Sequence, residues 1–317
     1  GQTGAGQMAT GQADTAALAA LREGGKAALA RALATLERAP DAPGTLALLD
    51  AAHAEGRAQV VGVTGPPGVG KSTLLGALIR LWRGQGRRVG VIAVDPSSRR
   101  SGGALLGDRM RLLADPADPG VFVRSMAARD RLGGLAEMTV GAMVLMRAVF
   151  DVVLIETVGV GQSETDVAGV ADTVVFAVQP GSGDSLQFMK AGIVEIPDIA
   201  VVTKADLGAP AQRALADLNG ALSLTPGAPS DWTLRTLALS PQSEQGLDAL
   251  IEAIDAHWAW LGVGERLVQA RRARDAAWLR AALLDRYGRE GLKRLGELRL
   301  APGESPFGRL KALALSL

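Results

Sequence analysis

A chain of 317 residues with 48% hydrophobic side chains, 40 glycines and a net charge of +1 reads as globular and loop-rich, long enough for one large α/β domain with helical additions. The near-neutral charge gives no electrostatic case for nucleic acid or an anionic membrane as the main partner. The lack of cysteine excludes disulfides and thiolate–zinc sites and fits a reducing compartment, and two histidines, His53 and His257, argue against a histidine metal store or a Ser-His-Asp hydrolase.

The opening "GQTGAGQMATGQ" is poor in bulky apolar side chains, so residues 1–13 are expected to form a disordered tail. Residues 14–57 repeat alanine and leucine at helical spacing and predict two or three helices, interrupted near Gly24-Gly25 and between Pro40 and Pro43. No apolar run approaches the roughly 18 residues of a membrane span, and no basic segment leads into a hydrophobic one. The expectation is a soluble cytoplasmic protein.

From Ala58 the rhythm changes to short β-branched runs: "QVVGVT", "RVGVIAVD", "DVVLIE", "DTVVFAVQ", "DIAVVTK" and "TLRTLALS". Nearly continuous apolarity suits strands buried on both faces of a mostly parallel sheet. Intervening helical text such as "STLLGALIRLWRGQG" makes the repeating unit βαβ and the central region, 58–262, an α/β domain flanked by helices. Residues 263–317 hold a basic amphipathic helix and a shorter tail. Its apolar positions include Leu267, Ala277, Trp278, Leu284 and Tyr287, while Arg271, Arg272 and Arg274 read as a solvated basic run. The helix either packs on its own domain or serves dimerisation or partner docking. Met138, Met143 and Met146 read as core of another helix.

"GPPGVGKST", Gly65 to Thr73, follows a strand and opens a helix, which meets the G-x-x-x-x-G-K-[ST] pattern in its required context. Gly65, Pro66, Pro67, Gly68, Val69 and Gly70 form the expected nucleotide-binding loop, whose glycines would let backbone N–H groups converge on phosphate oxygens at a helix N-terminus. Lys71 is expected to neutralise the β- and γ-phosphates, and Ser72, beside Thr73, to offer its hydroxyl to Mg²⁺.

Three carboxylates fall where a parallel sheet would present them, near carboxyl ends of strands or in adjoining loops: Asp95, Asp108 and Glu156. The alternative is that each is a solvated surface charge. Glu156 ends "DVVLIE", and its extra methylene relative to aspartate would reach an ion or its bound water from a strand set farther back. Gly159 leaves room for the γ-phosphate and offers a backbone N–H. Asp206 in "AVVTKAD" can accept hydrogen bonds from guanine N1–H and its 2-amino group, donors that adenine lacks. Thr203 stands where the N-K-x-D pattern has asparagine, Lys204 would lie over the base or brace the phosphate loop, and Ser240, Pro241 and Gln242 form a second base-side loop.

Together "GPPGVGKST", "VIAVDPSS", "SGGALLGDRMR", "LIETVGVGQSE", "QPGSGDSLQFMKAGIVEIPDIAVVTKAD" and the terminal helices resemble the MeaB/ArgK-type GTPases, a group with glutamate in the second phosphate-site motif. The resemblance spans roughly residues 15–310. It implies an α/β P-loop GTPase fold with helical extensions at both ends. It also implies an Mg²⁺-dependent GTPase that acts as chaperone to an adenosylcobalamin-dependent acyl-CoA mutase, gating cofactor loading and protecting the enzyme. By the same resemblance the protein is a homodimer through its C-terminal helices, Lys71, Ser72, Asp95, Asp108 and Glu156 serve the phosphate and metal site, and Gln179 to Lys190 form a mobile relay to the partner. Arg109 departs from a common lysine. No cobalamin site is assigned on the chain.

Phosphoryl transfer needs positioning, Mg²⁺ and charge neutralisation more than a general base. Lys71, Asp108, Glu156 and Gln162 are therefore the catalytic candidates, with slow intrinsic hydrolysis quickened when a partner orders the loops bearing Asp108 and Gln162. A nickel-insertion GTPase shares the glutamate but would need soft or imidazole ligands, which this chain barely has. A small-molecule kinase, or a switch for a partner other than a mutase, remains an alternative.

Overall fold

The computed structural model describes residues 15–95, 114–127, 137–157, 167–181, 197–224 and 231–316. The expected tail 1–13, Asp108, Arg109, Gly159, Gln162 and residues 182–190 lie outside the described residues, and of Asp95 only the backbone is described.

The chain divides into two compact units. The larger spans 59–135 and 152–270, and it holds a seven-stranded sheet. In chain order its strands are β1 (Gln59–Thr64), β2 (Val89–Asp95), β3 (Val121–Ala127), β4 (Val152–Thr157), β5 (Thr173–Val178), β6 (Ile199–Val202) and β7 (Arg235–Ala238). Their spatial order is β3-β2-β4-β1-β5-β6-β7, and every pairing is parallel. All carboxyl ends therefore share one edge of the sheet, with β1 near its middle.

Alternation along the strands covers both faces. Val61, Val63, Val175 and Ala177 join Leu74, Leu78 and Trp82 of the helix Lys71–Gly84 and Leu250 and Ile254 of the helix Leu247–Leu261. Phe176 and Val178 turn the other way, onto Ala211 and Leu218 of Ala209–Leu224. Side chains of period two with both sets apolar give the continuous hydrophobic runs seen in the sequence.

Aspartates before the strands set register. Asp172 accepts from Val60 N (3.0 Å) while its own N–H donates to Val60 O (2.8 Å). Asp198 repeats the arrangement on Val174, at 2.8 and 2.9 Å. One residue thus closes two bonds at the start of β5 and of β6, where a parallel ladder would otherwise leave a donor open.

The six expected strands are β1, β2, β4, β5, β6 and β7; β3 is an addition. Its sequence, "VFVRSMA", carries Arg124 and Ser125 in the middle, and among the described strands it pairs with β2 alone, at the sheet margin. An edge strand has one neighbour, so the apolar signal that revealed the others is diluted here.

The smaller unit gathers residues up to 58, 136–151 and 271–317. Among the described residues three helices open it, at 15–23, Gly25–Arg38 and Pro43–Ala54, with breaks at the glycine pair and at the prolines as expected. A fourth, Glu137–Val149, buries Met143 and Met146. Its carboxyl-terminal carbonyls are met by cations and amides: Arg22 Nε donates to Ala148 O (2.9 Å), Arg57 Nη2 to Val149 O (2.9 Å), and the Arg57 and Ala58 N–H groups to Arg147 O.

The C-terminal helix, Arg266–Leu295, breaks its dihedrals at Gly288 (φ 66°, ψ −174°) and is followed by Pro306–Ala314. Arg271 and Arg272, expected on a solvated face, are engaged. Arg271 donates to Gly56 O (2.8 Å) and Ala58 O (2.9 Å), and Arg272 to Leu300 O (3.1 Å). The buried stripe is Leu279, Ala282 and Leu283, with Trp278 against Phe307 at 4.9 Å; Leu284 and Tyr287 are 42% and 37% exposed.

Candidate nucleotide site

The loop after β1 is shaped by its glycines. Gly65 has φ 145°, and a Cβ there would lie 2.2 Å from Ala177 O of β5, so the backbones touch. Gly70 takes the left-handed conformation (φ 95°) as the residue before the helix Lys71–Gly84. A glycine at that position supplies no side-chain oxygen, which leaves the first helical N–H groups to an anion. Pro67 and Gly68 are exposed at the loop tip, Pro66 and Val69 are buried beneath it, and Thr73 is half-buried.

Lys71 is buried, and its ammonium donates to Gly65 O (2.7 Å) and Pro66 O (2.9 Å), bridging the loop from within. Ser72 Oγ donates to Glu156 Oε1 at 3.0 Å. Glu156 is 2% exposed and sits opposite Val63 of β1 and Ala93 of β2. Asp95 is the last residue of β2 on the same carboxyl edge. A hydroxyl and a carboxylate oxygen in contact form a hard donor set of the kind Mg²⁺ takes while keeping several waters and substrate oxygens. The residues present fit that ion.

On the other side of β1, Thr203 follows β6 and is buried. Its Oγ1 donates to Val69 O (2.8 Å), with Val178 O at 3.2 Å, so the residue after β6 grips the glycine-rich loop directly. Lys204 adopts φ 59°, ψ 40°, and its Nζ donates to Gln179 Oε1 at 2.5 Å. Asp206 is exposed on the 3₁₀ turn Ala205–Leu207, which is held to the end of β7 by Ala205 N–H donating to Leu239 O (3.0 Å). Ser240 and Pro241 are buried in the next loop, closed by Ser240 and Gln245 exchanging backbone bonds, and Gln242 is exposed. All described candidates thus lie along one edge, and direct contacts join Ser72 to Glu156 and Thr203 to Val69. The Gln179–Lys204 contact carried no motif of its own; the legible signal was a polar residue ending an apolar strand, as at Glu156.

His257 stays away from this edge. It is 2% exposed, its Nδ1 lies 2.8 Å from Thr173 Oγ1 at the start of β5, and Trp260 stacks on its ring at 5.5 Å. Burial lowers its pKa to about 4 against the opposing pull of Asp172.

A glycine-rich loop between the central strand and a helix, a buried Ser–Glu pair beside it and a Lys-x-Asp turn two strands away define a P-loop nucleotide-binding α/β protein. The family model described as "Methylmalonyl Co-A mutase-associated GTPase MeaB" matches residues 29–290, and the chain belongs to that family. It is a P-loop GTPase of the MeaB/ArgK type. A Pyrococcus abyssi relative named as a GTPase is 46% identical over 222 residues, 69% of this chain and 68% of its own. GTPase ArgK of Escherichia coli is 37% identical over 266 residues, 82% and 80% of the two chains. A solved structure titled as an LAO/AO transport system kinase superposes with a TM-score of 0.68 at 29% identity, covering 95% of this chain and 97% of the other. Among the described residues no helix is long and apolar enough to cross a membrane.

Proposed function

We propose that this GTPase is the chaperone of an adenosylcobalamin-dependent acyl-CoA mutase of the methylmalonyl-CoA mutase type, and that GTP hydrolysis gates cofactor loading and protects the mutase. The carrying observation is the family match, which runs through the nucleotide site and on to residue 290 in the C-terminal helix. In this reading the protein works in the cytoplasm as a homodimer joined through its C-terminal helices.

Hydrolysis at this site rests on positioning. The backbone N–H groups from Gly68 to Thr73 hold the phosphates, and the Lys71 ammonium, now shared between two loop carbonyls, turns to the β- and γ-oxygens of GTP. Ser72 and Glu156, with Asp95 and Asp108, would hold Mg²⁺, which neutralises charge on the phosphates when bound. Glu156 keeps the Ser72 hydroxyl aimed, Asp206 reads guanine, and Gln162 and Gly159 attend the γ-phosphate. No histidine is required.

The test is the GTP hydrolysis rate of the purified protein, alone and with an adenosylcobalamin-dependent acyl-CoA mutase from the same source. Acceleration by the mutase, absent with ATP and in Lys71→Ala, is the expected result. Slow GTP turnover indifferent to the mutase would keep the GTPase and discard this partner. Full turnover in Lys71→Ala would discard the site.

A further inference from the structure

We infer that Gln179 is a positioning residue for the nucleobase: its amide oxygen holds the Lys204 ammonium so that the lysine stem stands as a fixed wall of the base slot. This rests on the guanine-nucleotide reading of the site and adds a residue that no phosphate or base motif contains.

The placement follows from the sheet. Gln179 comes directly after β5 and Lys204 two residues after β6, strands paired at Val178 and Val202. Lys204 is exposed, yet its backbone sits in the left-handed region at φ 59°, and its Nζ meets Gln179 Oε1 at 2.5 Å. A residue with a Cβ enters that region at a cost, so the surroundings must hold it there. They do: Thr203 before it is bonded through both N–H and hydroxyl, and Ala205 after it donates to Leu239 O. The backbone is thereby fixed, and the side chain is the part left to order.

A lysine has four rotatable carbons, and immobilising them on ligand binding would oppose affinity. The Gln179 acceptor orders the stem beforehand. Packing of a methylene stem on a purine does not distinguish one base from another, whereas the carboxylate of Asp206 does. The signature of Gln179 is therefore a loss of affinity common to several bases.

The experiment measures dissociation constants of GDP and IDP for the full chain carrying Gln179→Leu, Gln179→Glu or no change, together with each Tm. Gln179→Leu should weaken both nucleotides by the same factor, about three- to tenfold, as expected for one side chain left to order on binding. Gln179→Glu, which keeps an acceptor oxygen, should return both to within about twofold of the unsubstituted chain. Unchanged affinity in Gln179→Leu overturns the inference. So does a loss that tracks a lower Tm and is not restored by Gln179→Glu, which would mark a structural role alone. An unsubstituted chain that binds neither nucleotide overturns the guanine-site reading itself, a result distinct from both.

Discussion

Ser72 and Glu156, 84 positions apart in the chain, meet through a hydrogen bond of 3.0 Å from the serine hydroxyl to Glu156 Oε1. The carboxylate leaves β4 and reaches the first turn of the helix after β1, which is the reach the added methylene supplies. Glu156→Asp withdraws that oxygen. A lost hydrogen bond to a charged group costs about 1.5–3 kcal/mol, so GTP turnover should fall roughly 10- to 100-fold. Phosphate release with Mg²⁺ checks it, and an undiminished rate would remove Glu156 from the site.

Thr203 stands where a longer asparagine is more usual, and its hydroxyl nonetheless spans to Val69 O at 2.8 Å. Thr203→Val keeps the shape and leaves a buried carbonyl without this donor, at a cost of about 1–3 kcal/mol. GDP should dissociate faster and the Tm should drop by a few degrees, while Thr203→Ser should retain both. Nucleotide-release kinetics and thermal melts measure the two effects. Equal GDP release from Thr203→Val and the unsubstituted chain would mean the tie does not serve the nucleotide.

Gly65→Ala should abolish GTP binding. The new methyl would sit 2.2 Å from Ala177 O in a backbone at φ 145°, so the loop must move away from β5. Gly84→Ala is the control, since beyond its own helix turn no atom of the described residues lies within 4 Å of its added carbon and its φ is ordinary. Titration with a fluorescent GDP analogue separates the two variants.

His257 makes stability depend on acid. Its folded pKa is about 4, lowered by burial from an ordinary 6.5. Above pH 6.5 neither folded nor unfolded chain binds the proton. Between 6.5 and 4 the unfolded chain binds it first, so stability falls with falling pH and the contribution levels off below 4. The shift corresponds to about 3 kcal/mol. Urea unfolding at pH 7, 5.5 and 4.5 should show the decline, and His257→Gln should flatten it. The same slope in both would assign the acid sensitivity to other groups.

Glu156 was legible because a buried apolar strand rarely ends in a carboxylate, and the phosphate loop because its spacing and its strand–helix context agree. β3 was not, since an edge strand tolerates Arg124 and Ser125. Arg271 and Arg272 looked solvated because charge in a helix says nothing of where its tip ends, and only the fold brings Gly56 O and Leu300 O within reach.

The sequence by itself determined the parallel strands, the glycines of the phosphate loop and the family, since strand burial and left-handed turns are local demands that leave local marks. Tertiary structure decided which helices share a unit with Glu137–Val149, that Ser72 meets Glu156, and that Thr203 grips Val69 from 134 positions away. Such contacts depend on strand order, and strand order is a property of how the whole sheet buries its two faces, which no short window of residues contains.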